Sequence, residues 1–245
     1  MPTFFVASEA IVPPTVRITG PLLHHLRESL RLQPGETLSV TDDRGNRYRT
    51  EIAEVTSREL VGRILDTTSA PAKAVPAIVL AQALIKGEKM DWVIQKATEL
   101  GVERIAPVQA THSVVRLRVE RVEHQRARWQ RIALEAAQQS ERWSVPVIDE
   151  PVTISELLTR SKAATSKMVL AERSGSTSLR TVSLAGAGNE VWLLIGPEGG
   201  WDDEELGQVL QHGYTAVTLG PRILRAETAA IAAVSILQSR LGELG

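Results

Sequence analysis

The first 70 residues carry the short alternations of apolar and polar positions that half-buried strands show. Four such stretches lie at residues 15–18, 37–41, 48–55 and 60–65. Leucines at 22, 23, 26 and 30 predict a helix over residues 22–32, and the Asp-Arg-Gly-Asn sequence at 43–46 predicts a hairpin. This part is therefore predicted to be a small antiparallel barrel or sheet. Residues 67–76, which contain Ser, Ala and two prolines, are predicted to link it to the rest of the chain.

From residue 77 onward, predicted strands alternate with predicted helices. The strands fall at residues 77–81, 105–108, 145–148, 168–171, 191–195 and 216–219. The helices fall at residues 86–100, 119–140, 153–160, 202–212 and 227–241. This alternation is typical of a mostly parallel α/β sheet. The last helix is apolar on nearly every side at its start, so we expect it to be buried within the domain or against a second subunit.

The strand at 191–195 and the turn after it indicate a ligand site. The strand is apolar throughout, as expected for a parallel sheet covered on both faces, and such sheets bind ligands at the carboxyl ends of their strands. The following turn and helix start carry five carboxylates, at Glu198, Asp202, Asp203, Glu204 and Glu205. Because this turn contains no lysine or arginine, it favours a neutral or cationic ligand over a polyanion. The alternative is an ordinary strand-to-helix turn whose glycines only make it tight.

A second glycine turn follows the strand at 216–219. It runs from Leu219 through Gly220-Pro221 to a helix start near Glu227, and the two turns together are expected to wall one pocket. Arg225 is unusual here because a cation at a helix N-terminus opposes the helix dipole. It either pairs with a carboxylate such as Glu198 or points at a ligand.

Composition narrows the class of protein. The 245 residues carry a net charge of −1, with 43% hydrophobic residues and no cysteine. The absence of cysteine excludes disulfides and thiolate chemistry, and the five histidines lack metal-ligand spacing, so we expect no metal. No stretch approaches the roughly 20 apolar residues of a membrane span, and the N-terminus lacks a signal-peptide pattern. These features predict a cytoplasmic protein with no membrane partner.

One segment of this nearly neutral chain is basic. Residues 111–143 contain seven arginines against four glutamates, with Trp129 and Trp143 between them. Arginines with interleaved aromatic residues suit an RNA backbone and its bases. The alternative is a solvated helix face with ion pairs within the helix. Lys86 and Lys89, at a predicted helix start, weakly indicate an anionic partner.

Taken together, the glycine turns resemble a known family. The sequences at 195–200 and 219–229 are similar to the paired signature of SPOUT-class methyltransferases. More narrowly, with residues 86–102 and 135–140, they resemble the enzymes that methylate ring nitrogen 3 of a uridine in small-subunit ribosomal RNA, the RsmE family. The resemblance covers essentially the whole chain. Ala226 stands where the family leads us to expect Thr, and Glu141 where it leads us to expect Gly.

The resemblance implies an α/β fold, with a PUA-like β-barrel RNA-binding domain over residues 1–72 and a SPOUT domain over residues 73–245. The second domain would hold a mostly parallel sheet with a trefoil knot, although knots are rare in proteins. The resemblance also implies a homodimer, S-adenosylmethionine as cofactor, and 16S ribosomal RNA or the small ribosomal subunit as partner. Two alternatives stay open: a SPOUT enzyme acting on transfer RNA or a ribose 2′-hydroxyl, and a non-catalytic RNA-binding assembly factor.

The resemblance also assigns roles to individual residues. Arg225 would stabilise the uracil anion, and Glu198 would accept its proton or orient Arg225. Cofactor contacts are expected from Leu170, Ala171, Leu194, Ile195, Gly196, Gly199, Gly200, Leu219, Gly220, Ile223, Leu224 and Thr228. RNA contacts are expected from Arg27, Arg31, Lys86, Arg116, Gln139 and Arg142, some of them across a dimer.

Overall fold

The computed structural model describes residues 3–72, 75–171, 177–184, 186 and 188–245, without the side chain of residue 119. The chain forms two compact units. The first comprises Met1–Ala72 with Ala137–Ser144, and the second comprises Lys73–Ala136 with Val145–Gly245.

The first unit is built on a six-stranded sheet. Its elements are β1 (Thr3–Phe5), β2 (Ile11–Val12), β3 (Thr15–Ile18), α1 (Gly20–His24), β4 (Thr37–Thr41), β5 (Asn46–Val55) and β6 (Leu60–Ser69). The strand order is β1-β4-β5-β6-β3-β2, and every pair is antiparallel except β1 with β4. The predicted hairpin at 43–46 is confirmed. The predicted linker was drawn too long, because β6 continues through Ser69 to pair with β5; Lys73 and Ala74 lie outside the described residues.

The helix predicted over residues 22–32 is shorter than expected. After α1 the chain makes one π-helical turn, His25–Ser29, which buries Leu26. Arg31 then adopts a left-handed φ of 54°, and the amide of Leu32 donates to the carbonyl of Leu26 at 3.1 Å. A residue in the left-handed conformation is a common way for a helix to end, and here the closing bond spans seven residues, one more than in the usual six-to-one arrangement. The leucine spacing could not indicate this, because the termination depends on backbone conformation.

The second unit is organised by a parallel sheet. Its strands are β7 (Ala77–Ala83), β8 (Arg104–Gln109), β9 (Val147–Ile148), β10 (Val152–Thr153), β11 (Ser166–Leu170), β12 (Thr177–Ser178), β13 (Glu190–Ile195) and β14 (Thr215–Thr218). Its helices are α2 (Lys89–Glu99), α3 (Val119–Gln139, whose last three residues belong to the first unit), α4 (Ile154–Arg160), α5 (Asp203–Gln211) and α6 (Ala226–Leu241). The strand order is β10-β8-β7-β13-β11-β14-β12, with β9 beside β8, and all pairs are parallel.

Both faces of this sheet are covered, as the apolar run in β13 predicts. Val191, Leu193 and Ile195 point into the cluster that includes residues of α2, α3 and α6. Trp192 and Leu194 point into the cluster on the other face, with residues of α4 and α5. The predicted burial of α6 is also confirmed, since seven of its residues are buried and it packs against α2.

Residues 137–144 belong to the first unit. The predicted domain boundary at residue 72 did not anticipate this, because it divides the chain only once. Arg47 of β5 donates to the carbonyls of Glu141 at 2.9 Å and Arg142 at 2.7 Å, and its guanidinium lies 4.0 Å from the centre of the Trp143 ring. Glu141 has a φ of 52°, in the left-handed region that favours glycine. This conformation accounts for the glycine that the family resemblance leads us to expect at this position.

Candidate functional site

Three neighbouring strand ends enclose a cleft of about 1050 Å³ in the second unit. Strand β11 lies between β13 and β14, so the segments that follow these three strands meet at one edge of the sheet. The lining residues are Lys89, Leu170, Ala171, Ile195–Trp201, Asp203, Leu206, Ile223–Ala226 and Ala229. The expectation that two glycine turns wall one pocket is therefore confirmed, and the end of β11 adds a third wall.

The turn after β13 is shaped by its glycines. Gly200 has a φ of 76°, and its amide donates to the carbonyl of Pro197 at 3.0 Å, which reverses the chain. A side chain on Gly199 would approach His112 of the loop after β8, with its Cβ 3.0 Å from the His112 Cβ. Asp202 then caps α5 by accepting from the amides of Glu204 and Glu205. The turn is thus fixed at both ends and packed closely against a neighbouring loop.

Trp201 joins two walls of the cleft. Its indole Nε1 donates to the carbonyl of Leu170, the last residue of β11, at 2.8 Å. The same ring covers Gly196, where an added Cβ would lie 3.0 Å from the indole Cε2 and Nε1. The sequence pattern alone indicates no role for Trp201. The only signal for it was an aromatic residue directly after a glycine-rich turn.

An ion pair crosses the cleft wall between α2 and the turn after β13. The Lys89 ammonium contacts the carboxylate of Glu198 and lies 3.7 Å from that of Glu227. The hydrogen bond from Lys89 lowers the pKa of Glu198, while the same bond to Glu198 raises the pKa of Lys89. Lys89 thus finds its anionic partner inside the protein. The turn taken alone contains no lysine, but the cleft is lined by two cations, Lys89 and Arg225, as well as by carboxylates.

Arg225 is the N-cap residue of α6 and its side chain is free of the ion pair that one interpretation predicted. Across the part of the chain that the structure describes, its guanidinium has no hydrogen-bond or ion-pair partner. Glu198 pairs with Lys89 instead. Since Arg225 lines the cleft, the interpretation in which it faces a ligand is the one the geometry favours.

Most of the predicted cofactor residues come together. The main cleft is lined by eight of them, Leu170, Ala171, Ile195, Gly196, Gly199, Gly200, Ile223 and Leu224. Leu219 and Gly220 line a small adjoining cavity. Leu194 points into the core and Thr228 is exposed on α6, and neither lines these cavities. Some backbone groups are already in use, because the Ala171 amide donates to Val217 at 3.1 Å.

The predicted RNA residues divide between the two units. Lys86 and Arg116 are exposed in the second unit, where the Lys86 amide lies 3.4 Å from a Glu198 oxygen. In the first unit, Arg31 and Gln139 are exposed, Arg142 is half-buried, and Arg27 pairs with Glu28.

The basic segment is only partly available to RNA. Trp129 is 2% exposed in the core and cannot stack on bases, which corrects that expectation. The ring of Trp143 is covered by Arg47. Two of the arginines are held in ion pairs, Arg126 with Glu150 and Arg128 with Asp91. Local sequence could not indicate these partners, because they come from other elements.

Neither a metal site nor a membrane-spanning helix is found among the residues that the structure describes. No cluster of three or more His, Cys, Asp or Glu residues could hold a metal ion. No helix there is long and apolar enough to cross a membrane.

Comparison with known families gives the class of protein. The sequence model described as RNA methyltransferase domain matches residues 60–238, and that described as RNA methyltransferase PUA domain matches residues 18–65. The chain thus belongs to the class of RNA methyltransferases. A ribosomal RNA small subunit methyltransferase E of Bacillus subtilis is 32% identical over 229 residues, which cover 91% of this chain and 90% of the relative. The chain belongs to the ribosomal RNA small subunit methyltransferase E family.

Two further comparisons agree with this assignment. The protein of the same name from Synechocystis is 32% identical over 96% of this chain and 77% of its own length. The crystal structure of ribosomal RNA small subunit methyltransferase E from Neisseria gonorrhoeae, bound to S-adenosyl methionine, superimposes with a TM-score of 0.88. It is 30% identical and covers 98% of both chains.

Proposed function

We propose that this protein transfers the methyl group of S-adenosylmethionine to ring nitrogen 3 of a uridine in 16S ribosomal RNA. The observation that carries the proposal is the cleft at the carboxyl ends of β11, β13 and β14, in a chain of this methyltransferase family. The target is RNA, as the names of the relatives state for those proteins. Because its substrate is ribosomal RNA, we expect the enzyme to act in the cytoplasm.

The residues of the cleft fit S-adenosylmethionine. This cofactor carries a cationic sulfonium, an ammonium and a carboxylate, but no phosphate. Lys89 and Glu198 neutralise each other, which leaves the Asp203 carboxylate for the cationic groups of the cofactor and the Arg225 guanidinium for an anion. Gly196 and Gly199 let Trp201 and His112 pack against the wall of the cleft, where a side chain on either glycine would lie 3.0 Å from its neighbour. When bound, the cofactor supplies an electrophilic methyl group on sulfur.

The chemical role falls to Arg225. Uracil N3 becomes nucleophilic only when it has lost its proton, and this places negative charge on the ring. A guanidinium held at the cleft without a protein partner among the described residues stabilises that anion. Glu198 is the proton acceptor that we assign within the cleft, and the Lys89 hydrogen bond that lowers its pKa makes it a weak base. Arg225 therefore carries the larger share of the catalysis.

The finer features of the fold are also part of the proposal. We assign RNA binding to the PUA-like part of the first unit, residues 1–72, together with Arg27, Arg31, Lys86, Arg116, Gln139 and Arg142. We assign a trefoil knot to residues 73–245, supported by the three loops that share one cleft. We further propose a homodimer, supported by large apolar side chains left exposed on this unit, Trp92 at 42% and Ile223 at 68%. Light scattering of the wild type and of Trp92→Glu tests the dimer.

The first experiment tests the cofactor and the target. Calorimetry with S-adenosylmethionine is expected to give micromolar binding, about 8 kcal/mol, whereas NAD gives none. Small ribosomal subunits that lack the modification are then incubated with labelled cofactor, and the RNA is digested to nucleosides. Label recovered as 3-methyluridine supports the proposal. Label in a 2′-O-methylated nucleoside, or label in transfer RNA alone, contradicts it, as does failure to bind the cofactor with subunits present.

A pair of arginine variants tests the mechanism. Arg225→Ala is expected to lower kcat by about 100-fold, the usual effect of removing one group that stabilises an anionic transition state, with cofactor affinity within about twofold. Arg180→Ala, which changes an exposed arginine of the second unit that lines neither cavity, is the control and is expected to keep its activity. Full methylation by Arg225→Ala would show that the assignment is wrong.

A further inference from the structure

The indole of Trp201 is held by two independent contacts, one to each neighbouring wall of the cleft. Its Nε1 donates to the Leu170 carbonyl at 2.8 Å, at the end of β11. Its ring lies on Gly196, at the end of β13, so closely that a methyl group on Gly196 would be 3.0 Å from two indole atoms. A single side chain therefore links two adjacent strand ends just beyond their last ladder pair, Val169 with Leu194, and both of these ends line the cleft.

The backbone around Trp201 leaves this side chain little freedom. On one side, the amide of Gly200 closes a turn onto Pro197. On the other, Asp202 caps α5 through two backbone amides. The ring also packs against the apolar cluster between the sheet and helices α4 and α5. A ring fixed in this way holds the positions of the backbone that it touches.

We infer that Trp201 is a positioning residue for S-adenosylmethionine, an inference that rests on the proposed function. By donating to the Leu170 carbonyl, Trp201 fixes the direction of that carbonyl and links the end of β11 to the turn that follows β13. By covering Gly196, it forms part of the cleft surface. Both of these contacts are made with the backbone of the cleft wall, so we expect the contribution of Trp201 to fall on cofactor affinity and not on the chemical step.

Replacing Trp201 with phenylalanine separates the effect of its ring packing from the effect of its hydrogen bond. Trp201→Phe keeps an aromatic ring but loses the Nε1 donor, and is expected to raise the Kd and KM for S-adenosylmethionine about fivefold to tenfold, with kcat within about twofold. Trp192→Phe is the matched control. Trp192 also donates through Nε1, to Glu190 at 2.9 Å, but it points into the core and does not line the cleft. This control is expected to lose some stability and to keep the wild-type KM.

A double-mutant cycle tests the contact with Gly196. Gly196→Ala weakens cofactor binding either because its methyl displaces the Trp201 ring or because it meets the cofactor directly. In the first case, the rise in Kd caused by Gly196→Ala is at least threefold smaller in a Trp201→Ala background than in the wild type, since no indole ring remains to be displaced. In the second case the effect is the same in both backgrounds.

The outcomes separate this inference from the proposed function. If the wild type binds no S-adenosylmethionine, with or without small subunits, the proposed function itself is wrong. If the wild type binds and Trp201→Phe binds equally well, the hydrogen bond has no positioning role. A fall in kcat at unchanged KM, or an additive double-mutant cycle, would also overturn the inference. A raised KM with unchanged kcat, absent in Trp192→Phe, would support it.

Discussion

Replacing Gly199 with alanine tests the packing of the cleft wall. A Cβ at Gly199 would lie 3.0 Å from the Cβ of His112 and 3.1 Å from its carbonyl oxygen. Ordinary contact begins near 3.4 Å, so the added methyl is too close by about 0.4 Å. The loop that carries His112 cannot easily recede, because the Thr111 amide donates to Glu205 at 2.8 Å and the Ala110 amide to Ser113 at 3.2 Å.

The expected cost follows from that overlap. Inserting a methyl group into a packed site costs about 1–3 kcal/mol, and the modest overlap places Gly199→Ala near the lower end. For a chain of this size, 1 kcal/mol lowers Tm by about 2–4 °C. Since the shift moves a wall of the cleft, the affinity for S-adenosylmethionine is expected to fall as well.

Replacing Gly207 with alanine is expected to raise the free energy of unfolding instead of lowering it. Gly207 lies in the interior of α5, where an added Cβ meets no atom of the described residues within 4 Å. Alanine there raises the free energy of unfolding by about 0.5–1 kcal/mol, because glycine has the greater backbone entropy to lose. Both positions lie in the second unit. Urea denaturation therefore compares the free energies of unfolding of the two variants directly when their m-values are equal. If Gly199→Ala were as stable as Gly207→Ala, the steric argument would be refuted.

Two further predictions concern stability. Thr153 and Glu156 form a capping box at the start of α4, so Thr153→Ala is expected to lower the free energy of unfolding by about 1 kcal/mol, measured by urea denaturation. Burial of Asp42 opposes its ionisation, but hydrogen bonds from Asn46 and Tyr48 outweigh it and lower the pKa of Asp42. The stability that Asp42 contributes is therefore present above its unfolded pKa of about 3.9 and lost as the pH falls through its lower folded pKa. Asp42→Asn should show a shallower loss of stability below about pH 4, and an unchanged slope would contradict this.

The element pattern was predictable because each element carries its own signal. The apolar run at 191–195 and the glycine turn after it both lie where the sequence predicts them, since burial on both faces of β13 demands that composition. Alternating strands and helices likewise predicted the parallel sheet. The helix predicted over residues 22–32 was wrong at its end, because the left-handed residue that stops it is Arg31, a type with no preference for that conformation.

Properties that depend on distant residues could not be predicted. The sequence around Glu198 shows only carboxylates, yet its partner Lys89 lies 109 positions away and reaches it through the packing of α2. Trp129, in a basic segment, was expected to meet RNA and is instead part of the core. The ion pair changes the ligand argument itself. A carboxylate turn alone favours any cation, whereas in this cleft Lys89 neutralises Glu198, so that Asp203 is left for a cation and Arg225 for an anion.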